Sequence, residues 1–282
     1  VTLLRPVTSV AAYRDADHHT LQQRLAVREI MTPRAQFLCA LGRESVRQAF
    51  TGVPDAIDAL PVVEGSDRSA PAARFVGVID RRRVMDLSRS VASAMDEDAE
   101  PIGVDQPILD FITDHRNERL RLVSDAGGAI VGLVTIHDLA RLPVRIAVFA
   151  VLTDLEEIVG EIIEAKGGEA VGWERFLIAQ QTRLRNDLRD AIQQAGSRNG
   201  SGRAVLEMGL GLKLALLEGM RRQRLLGTCR LDELHGVRDL RNDIAHGRPF
   251  RNVAMLPPAT RTALKLREDL VALLRQPNGA PR

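Results

Sequence analysis

Two different periodicities divide the chain. From about residue 36 to 134, short apolar runs of strand length alternate with brief helical patterns. The run Gln36–Leu41 reads as a strand and Ser45–Gly52 as a short helix. Ala59–Val63 and Phe75–Ile79 read as buried strands, and a second helix opens at Asp80. The same order recurs, with a strand at Pro101–Val104, a helix at Gln106–His115, strands at Arg119–Val123 and Ile130–Val134, and a helix from about Ile136. Val76-Gly77-Val78-Ile79 matches Val131-Gly132-Leu133-Val134 at an offset of 55, and the preceding strands, ending at Val63 and Val123, match at 60. The difference falls in the loop Gly65–Ala73 of the first copy. An internal β-α-β-β-α repeat is a strong architectural signal.

Beyond residue 142 the strand pattern stops. Val144, Val148, Val151, Leu155, Ile158 and Ile162 are spaced 4-3-4-3-4 along a helix over Pro143–Ala165. That spacing is also a coiled-coil seam, which would let the helix pack on a partner chain. Trp173–Gln194 reads as one helix ending in the loop Gly196–Gly202, and Val205–Met220 as a buried central helix, apolar nearly all round. Leu231–His246 is a fourth helix, stopped by Gly247 and Pro249, and a fifth follows the Pro257-Pro258 break to about Leu274. The fold class read from the pattern is α+β: tandem β-α-β-β-α repeats followed by an all-α five-helix bundle. The expected divisions are an N-terminal segment (1–24), a first repeat (25–88), a second repeat (89–142), the bundle (143–276) and a disordered tail (277–282).

Composition narrows the function classes. At 45% hydrophobic and 27% charged residues the 282-residue chain is globular, and 3% aromatics leaves a core of Leu, Val, Ile and Ala. Two cysteines, Cys39 and Cys229, are too few for a disulfide framework or a zinc ribbon. His18-His19 has no third ligand nearby, so no metal is expected. No apolar run reaches the length of about 18 residues that a spanning helix needs, and no signal peptide is legible, so a cytoplasmic protein without membrane contact is expected. Residues 1–142 hold 17 Arg against 20 acidic residues (−3), and residues 143–282 hold 22 basic against 17 acidic (+5). That surplus is compatible with nucleic acid but weak alone. Arg81-Arg82-Arg83 reads as a solvated helix start, Trp173 as a core anchor, and Gly209 and Gly211 as lying within a helix rather than forming a phosphate loop.

Two resemblances follow from short motifs. Val27-Arg28-Glu29-Ile30-Met31-Thr32-Pro33, Leu60-Pro61-Val62-Val63 and Val131-Gly132-Leu133-Val134-Thr135-Ile136-His137-Asp138-Leu139 resemble a tandem pair of CBS domains, the cystathionine-β-synthase-type regulatory module, over residues 25–142. The resemblance implies a compact disc and a regulatory adenosine-type ligand (AMP, ADP or ATP) in a cleft. It implies that Thr135 and Asp138 hold a ribose, with His137 within reach of a phosphate near the helix N-terminus. In the first repeat Asp80 and Arg83 occupy those positions and break the pattern, so one dominant site at the second repeat is expected. The alternative is that Thr135 and Asp138 only cap the helix.

In the second half, Arg241-Asn242-Asp243-Ile244-Ala245-His246 resembles the HEPN superfamily, all-helical domains found in RNA-cleaving toxins, antiviral ribonucleases and nucleotide-binding proteins. Asn242 and His246 are four apart and share a helical stripe with Arg238, towards which Arg241 can bend, while Leu234, Val237, Leu240 and Ile244 form the apolar face. The resemblance implies metal-independent RNA cleavage by a homodimer. His246 would move a proton, Arg241 would stabilise the charge on the phosphorus oxygens, and Asn242 would orient the phosphate or the imidazole. The competing reading is a non-catalytic nucleotide sensor or adaptor whose bundle dimerises or binds a partner.

Overall fold

The computed structural model of the chain describes residues 24–68, 73–114, 119–197, 203–226, 234–248, 250 and 252–275. The N-terminal segment before residue 24 with His18-His19, most of the loop Gly196–Gly202, Cys229, the start of the fourth helix, Pro249 and the tail from Gln276 lie outside the described residues. The chain is α+β and divides into two compact units, Val1–Ala147 and Val148–Arg282.

The first unit holds two small sheets. In one, β2 (Ala40–Leu41) runs parallel to β3 (Ala59–Val63), which pairs antiparallel with β4 (Phe75–Asp80). In the other, β5 (Ile102–Gly103) runs parallel to β6 (Leu120–Ser124), which pairs antiparallel with β7 (Ile130–Thr135), and β7 pairs on its far side with β1 (Thr32–Pro33). Each hairpin carries the same bulge, next to Val62 opposite Gly77 and next to Val123 opposite Gly132. Val62 therefore corresponds to Val123, which makes the true strand offset 61 rather than the 60 read from the apolar runs. Short helices α1 (Val46–Ala49) and α2 (Ile108–Asp114) follow β2 and β5, and a Ser45–Gln48 capping box starts α1. The helix expected from Asp80 is only a 3₁₀ turn, Arg81–Arg83.

The two repeats exchange their opening segments. Val27 N donates to Gln106 O at 2.9 Å and Arg28 N to Val104 O at 3.0 Å, while Ile108 N donates to Leu25 O at 2.8 Å. Val91 N donates to Glu44 O at 2.8 Å, Ala92 N to Gly42 O at 2.9 Å, and Val46 N to Arg89 O at 2.9 Å. These are the same bonds with the repeats interchanged. Val27-Arg28-Glu29-Ile30-Met31 and Val91-Ala92-Ser93-Ala94-Met95 each begin with a 3₁₀ turn and end against the other repeat's hairpin. Thr32 pairs with Leu133, and Val78 with Asp96. Glycine is required at the first crossing, because a Cβ on Gly77 would lie 2.5 Å from Asp96 O, and it eases the second, where a Cβ on Gly132 would lie 3.0 Å from Thr32 O.

The second unit is helical. Its α-helices are α3 (Leu142–Gly167, which begins in the first unit's last residues), α4 (Thr182–Ser197), α5 (Leu210–Arg222), α6 (Leu234–Ala245) and α7 (Leu256–Leu274). Two expected helices are each broken. Residues 173–194 divide into a 3₁₀ turn, Ala170–Phe176, and α4, with Gln181 Oε1 accepting from Ile178 N in the gap at 3.1 Å. Residues 205–220 divide into a 3₁₀ turn, Ala204–Glu207, and α5, with Gly209 as its extended N-cap. The Pro257-Pro258 pair is no break. It occupies the first turn of α7, where absent N–H groups cost nothing.

The α3 seam differs from expectation in its use. Val144, Val148, Val151, Leu155, Ile158 and Ile162 are all buried within the chain, so they are not a free face for a partner. Trp173 is buried and donates from Nε1 to Gly168 O at 2.9 Å, as a core anchor would. At the tightest crossing a Cβ on Gly219 of α5 would lie 1.9 Å from Phe176 O, in rigid backbone. Gly219→Ala is therefore expected to destabilise the helical unit by about 2–3 kcal/mol in urea unfolding. Gly196→Ala, where a Cβ meets nothing, should be neutral or slightly stabilising.

Candidate functional site

In the first unit the charged residues gather where the repeats adjoin. Asp58 and Arg119 occupy corresponding positions, one residue before β3 and β6, and pair with each other at 2.9 Å. Asp58 is buried and also holds Arg82 at 2.6 Å and Arg81 at 3.3 Å, and the Arg81 guanidinium stacks on Phe50. Two of the three arginines of the run are thus committed to one carboxylate rather than simply solvated. Asp80 caps the turn by accepting from Arg82 N, with Arg83 and Arg119 each 3.8 Å from its carboxylate. Beside it lies a cleft of about 310 Å³, lined by Ala59, Val78, Leu120 and Leu122, by Asp80, Arg83, Arg119 and Arg121, and by Asp96, Asp98 and Glu100. A wider groove of about 930 Å³ follows the hairpin ends at Glu64, Gly65, Gly128 and Ala129, and none of the expected site residues lines it.

Thr135 and Asp138 do come together, as a cap. Asp138 Oδ2 accepts from Thr135 N at 2.7 Å and from Thr135 Oγ1 at 2.9 Å, while Oδ1 faces Arg141 Nε at 2.8 Å. Both carboxylate oxygens are engaged and Asp138 is buried. His137 points to the surface as an exposed residue.

On α6 the three expected residues do not converge. Arg241 and Asn242 are partly buried, and His246 is exposed at the helix end. The end is a Schellman motif, with Gly247 N donating to Ile244 O, Arg248 N to Asp243 O, and Gly247 at φ 64°. Arg241 does not bend to the Asn242 stripe. It stands about 140° around the axis from His246, and its Nη2 donates to Glu156 Oε2 of α3 at 3.3 Å. Asn242 and Arg238 line an open cleft of about 560 Å³ with Arg183, Asp187, Asp190, Gln194 and Glu207. Its lining carries three carboxylates and two guanidiniums. Val237 and Leu240 are buried as the apolar face, with Ile244 partly so, and the Leu234 side chain lies outside the described residues.

Sequence reasoning missed Glu156 and Lys213. Lys213 is buried in α5, with Nζ 3.5 Å from Glu156 Oε1, so one carboxylate lies between two cations. The available signal was a lone lysine, one of three in the chain, inside a helix otherwise apolar nearly all round. A charge there demands a partner.

Among the described residues, no group of three or more His, Cys, Asp or Glu is placed to hold a metal ion, and no helix is long and apolar enough to cross a membrane.

No protein-family model and no curated protein matches the chain. Solved structures similar to it contain CBS domains and align with somewhat under half of its length. The CBS domain of the bacterial CNNM/CorC family Mg2+ transporter in complex with ATP is 20% identical, covering 46% of this chain and 94% of that one, at TM-score 0.36. CBSX2 in complex with AMP is 21% identical, covering 43% and 97%, at TM-score 0.36. A hemolysin-like protein containing a CBS domain from Oenococcus oeni is 14% identical, covering 45% and 93%, at TM-score 0.35. Likeness at this level assigns neither ligand nor activity to the chain.

Burial pushes the Lys213 ammonium below the ordinary lysine value, and Glu156 beside it only partly offsets this. The native state therefore holds that proton less tightly than the unfolded chain. Stability should rise with pH between the folded Lys213 titration and the ordinary lysine range. Lys213→Met leaves Glu156 paired with Arg241, so a gain of about 1 kcal/mol at neutral pH is expected. The gain should shrink as pH climbs through that window, as read by urea unfolding at a series of pH values.

Proposed function

We propose that this chain is a nucleotide-responsive regulator whose amino-terminal unit is a CBS-type pair binding AMP, ADP or ATP. The motifs over residues 25–142 and the doubled β-α-β-β-α order support that reading. The cleft at Asp80 is the favoured seat, and its contents are the single observation that carries the choice. Apolar residues suited to a base, the Asp80 carboxylate able to accept from ribose hydroxyls, and three guanidiniums able to meet phosphate share about 310 Å³ with three further carboxylates, Asp96, Asp98 and Glu100, within the range of small-ligand pockets. At Thr135, His137 and Asp138 a ribose would have to displace Arg141 or the cap itself. Titration calorimetry with AMP and ATP is expected to give one site per chain. Asp80→Asn should weaken it at least tenfold and Asp138→Asn much less. The opposite ranking returns the site to the second repeat.

For the helical unit we propose metal-independent RNA cleavage by a homodimer, with His246 as the proton-transfer group, Asn242 as the orienting group and Arg241 as the cationic donor. The observation favouring it is that His246 is exposed at the end of α6, one helical turn from Asn242, and accessible to a polymer. Purified protein incubated with RNA in EDTA should yield 2′,3′-cyclic phosphate ends, and DNA should survive. His246→Ala should abolish cleavage while light scattering still reports the dimer. Inert protein, with or without nucleotide, selects the non-catalytic adaptor.

A further inference from the structure

Four arginines of the helical unit converge on the end of the 3₁₀ turn Ala170–Phe176, and a fifth, Arg224, follows closely in the chain. Arg175 belongs to the turn itself, where its guanidinium lies 4.7 Å over the Phe176 ring and donates from Nη2 to Gly167 O at 3.0 Å. Arg222, the last residue of α5, donates to Phe176 O at 3.4 Å, and the adjacent Gln223 donates from Nε2 to Arg175 O at 3.1 Å. From α4, Arg185 donates to Leu177 O at 3.1 Å, and Arg185 and Arg189 share Glu174 at 2.7 and 2.8 Å. The carbonyls of Arg175, Phe176 and Leu177 are thus bound in succession by side chains of α4 and of the α5 end. The tight backbone crossing at Gly219 seats α5 on the same turn, so the guanidiniums stand on a rigid base. Among the described residues, Arg175, Arg222 and Arg224 pair with no carboxylate.

Arg224 shows that charge is kept here at a cost. The α5 helix ends in a Schellman motif, with Arg224 N donating to Arg221 O at 2.8 Å and Leu225 N to Met220 O at 3.0 Å. Its left-handed position, φ 61°, is held by the one non-glycine residue at positive φ among the described residues. The same motif at the end of α6 uses Gly247 at φ 64°. A Cβ in that conformation crowds the following carbonyl, so glycine is the stable choice. A cation complements a helix carboxyl end from any position in the last turn, and Arg221 and Arg222 already do so. Arg175, Arg189, Arg222 and Arg224 are exposed, and each spends at most one of its N–H donors on the contacts above.

We propose that this end of the helical unit is a binding face for the phosphodiester backbone of an RNA strand, with Arg175, Arg189, Arg222 and Arg224 each meeting a phosphate. A guanidinium offers two oxygens of a phosphate a planar pair of N–H donors, and several held on a rigid base suit a repeating polyanion. Backbone contacts carry no base information, so the face holds a strand without selecting its sequence. The inference rests on the RNA reading of the helical unit for the identity of the polymer, but it is tested by binding and not by cleavage.

The probe is a 2′-O-methyl RNA of about 20 nucleotides, longer than the roughly 4–16 that one small domain covers. Its blocked 2′-hydroxyl prevents cleavage by the proposed chemistry. Fluorescence polarisation over a salt series in EDTA should give a slope of log K against log salt of about −3, from about −0.7 for each phosphate met. Arg224→Gly should weaken binding about three- to tenfold at low salt and reduce the slope by about 0.7. Urea unfolding should find that variant at least as stable as the wild type, so its loss of binding is not a loss of structure. Arg189→Gln should weaken binding similarly. Arg261→Gln removes an exposed guanidinium from α7, outside these contacts, and should change affinity less than about twofold. A wild-type protein that binds no probe overturns the proposal, as does an unchanged slope in both Arg224→Gly and Arg189→Gln. A loss in Arg261→Gln equal to that in Arg224→Gly overturns it too, because net charge alone would then explain the binding. Binding to phosphatidylserine vesicles but not to the oligonucleotide overturns it in favour of a membrane surface. RNA cleaved by Arg224→Gly with an unaltered KM defeats this face and leaves the cleavage reading standing. Probe bound through the face by a protein that leaves RNA intact does the reverse.

Discussion

The first unit depends on the exchange of opening segments between its two repeats. Neither hairpin closes its own outer edge: β7 is completed by Thr32-Pro33, and β4 is met at Val78 by Asp96. An uncovered strand edge exposes unpaired N–H and C=O groups. Each repeat therefore depends on its twin for backbone hydrogen bonds as well as for apolar cover. Gly77 is the point where this dependence is strictest, because a Cβ there would strike the backbone of Asp96. The cleft at Asp80 follows from the same exchange, since it is lined from β3, β4 and β6 and from the segment just after Met95.

Local features of the fold were legible in the sequence, and distant ones were not. Ala59–Val63 was read to the residue because its five buried positions form one unbroken apolar run between polar neighbours. The strand at Thr32-Pro33 was invisible as a strand. It is two residues long and its partner lies about a hundred residues away, so no local period marks it. The second opening segment carried a weak signal in Val91 and Met95, which stand where Val27 and Met31 stand in the first. Helix breaks at Leu177–Gln181 and Gly209 were hidden by apolar spacing that continues through them.

The same distinction governs the candidate sites. The Thr135–Asp138 spacing was readable because a capping box is a local device, and its double use as cap and ligand motif is what left the reading open. The fate of Arg241 was not readable. An arginine side chain is long enough to serve either face of α6, and the choice was made by Glu156, 85 residues earlier. Helical periodicity describes where a Cα sits, and it says little about where a guanidinium four bonds further out will settle.

The pairing of Asp58 with Arg119 bears on the origin of the unit. The two residues hold corresponding places in the repeats, yet they carry opposite charge and meet each other. Two identical copies of either repeat, brought together in the same way, would oppose carboxylate to carboxylate or guanidinium to guanidinium. Self-association of a single repeat is penalised at that contact, while association of unlike repeats is rewarded. The tandem is a covalently tethered heterodimer whose halves are no longer interchangeable at this contact.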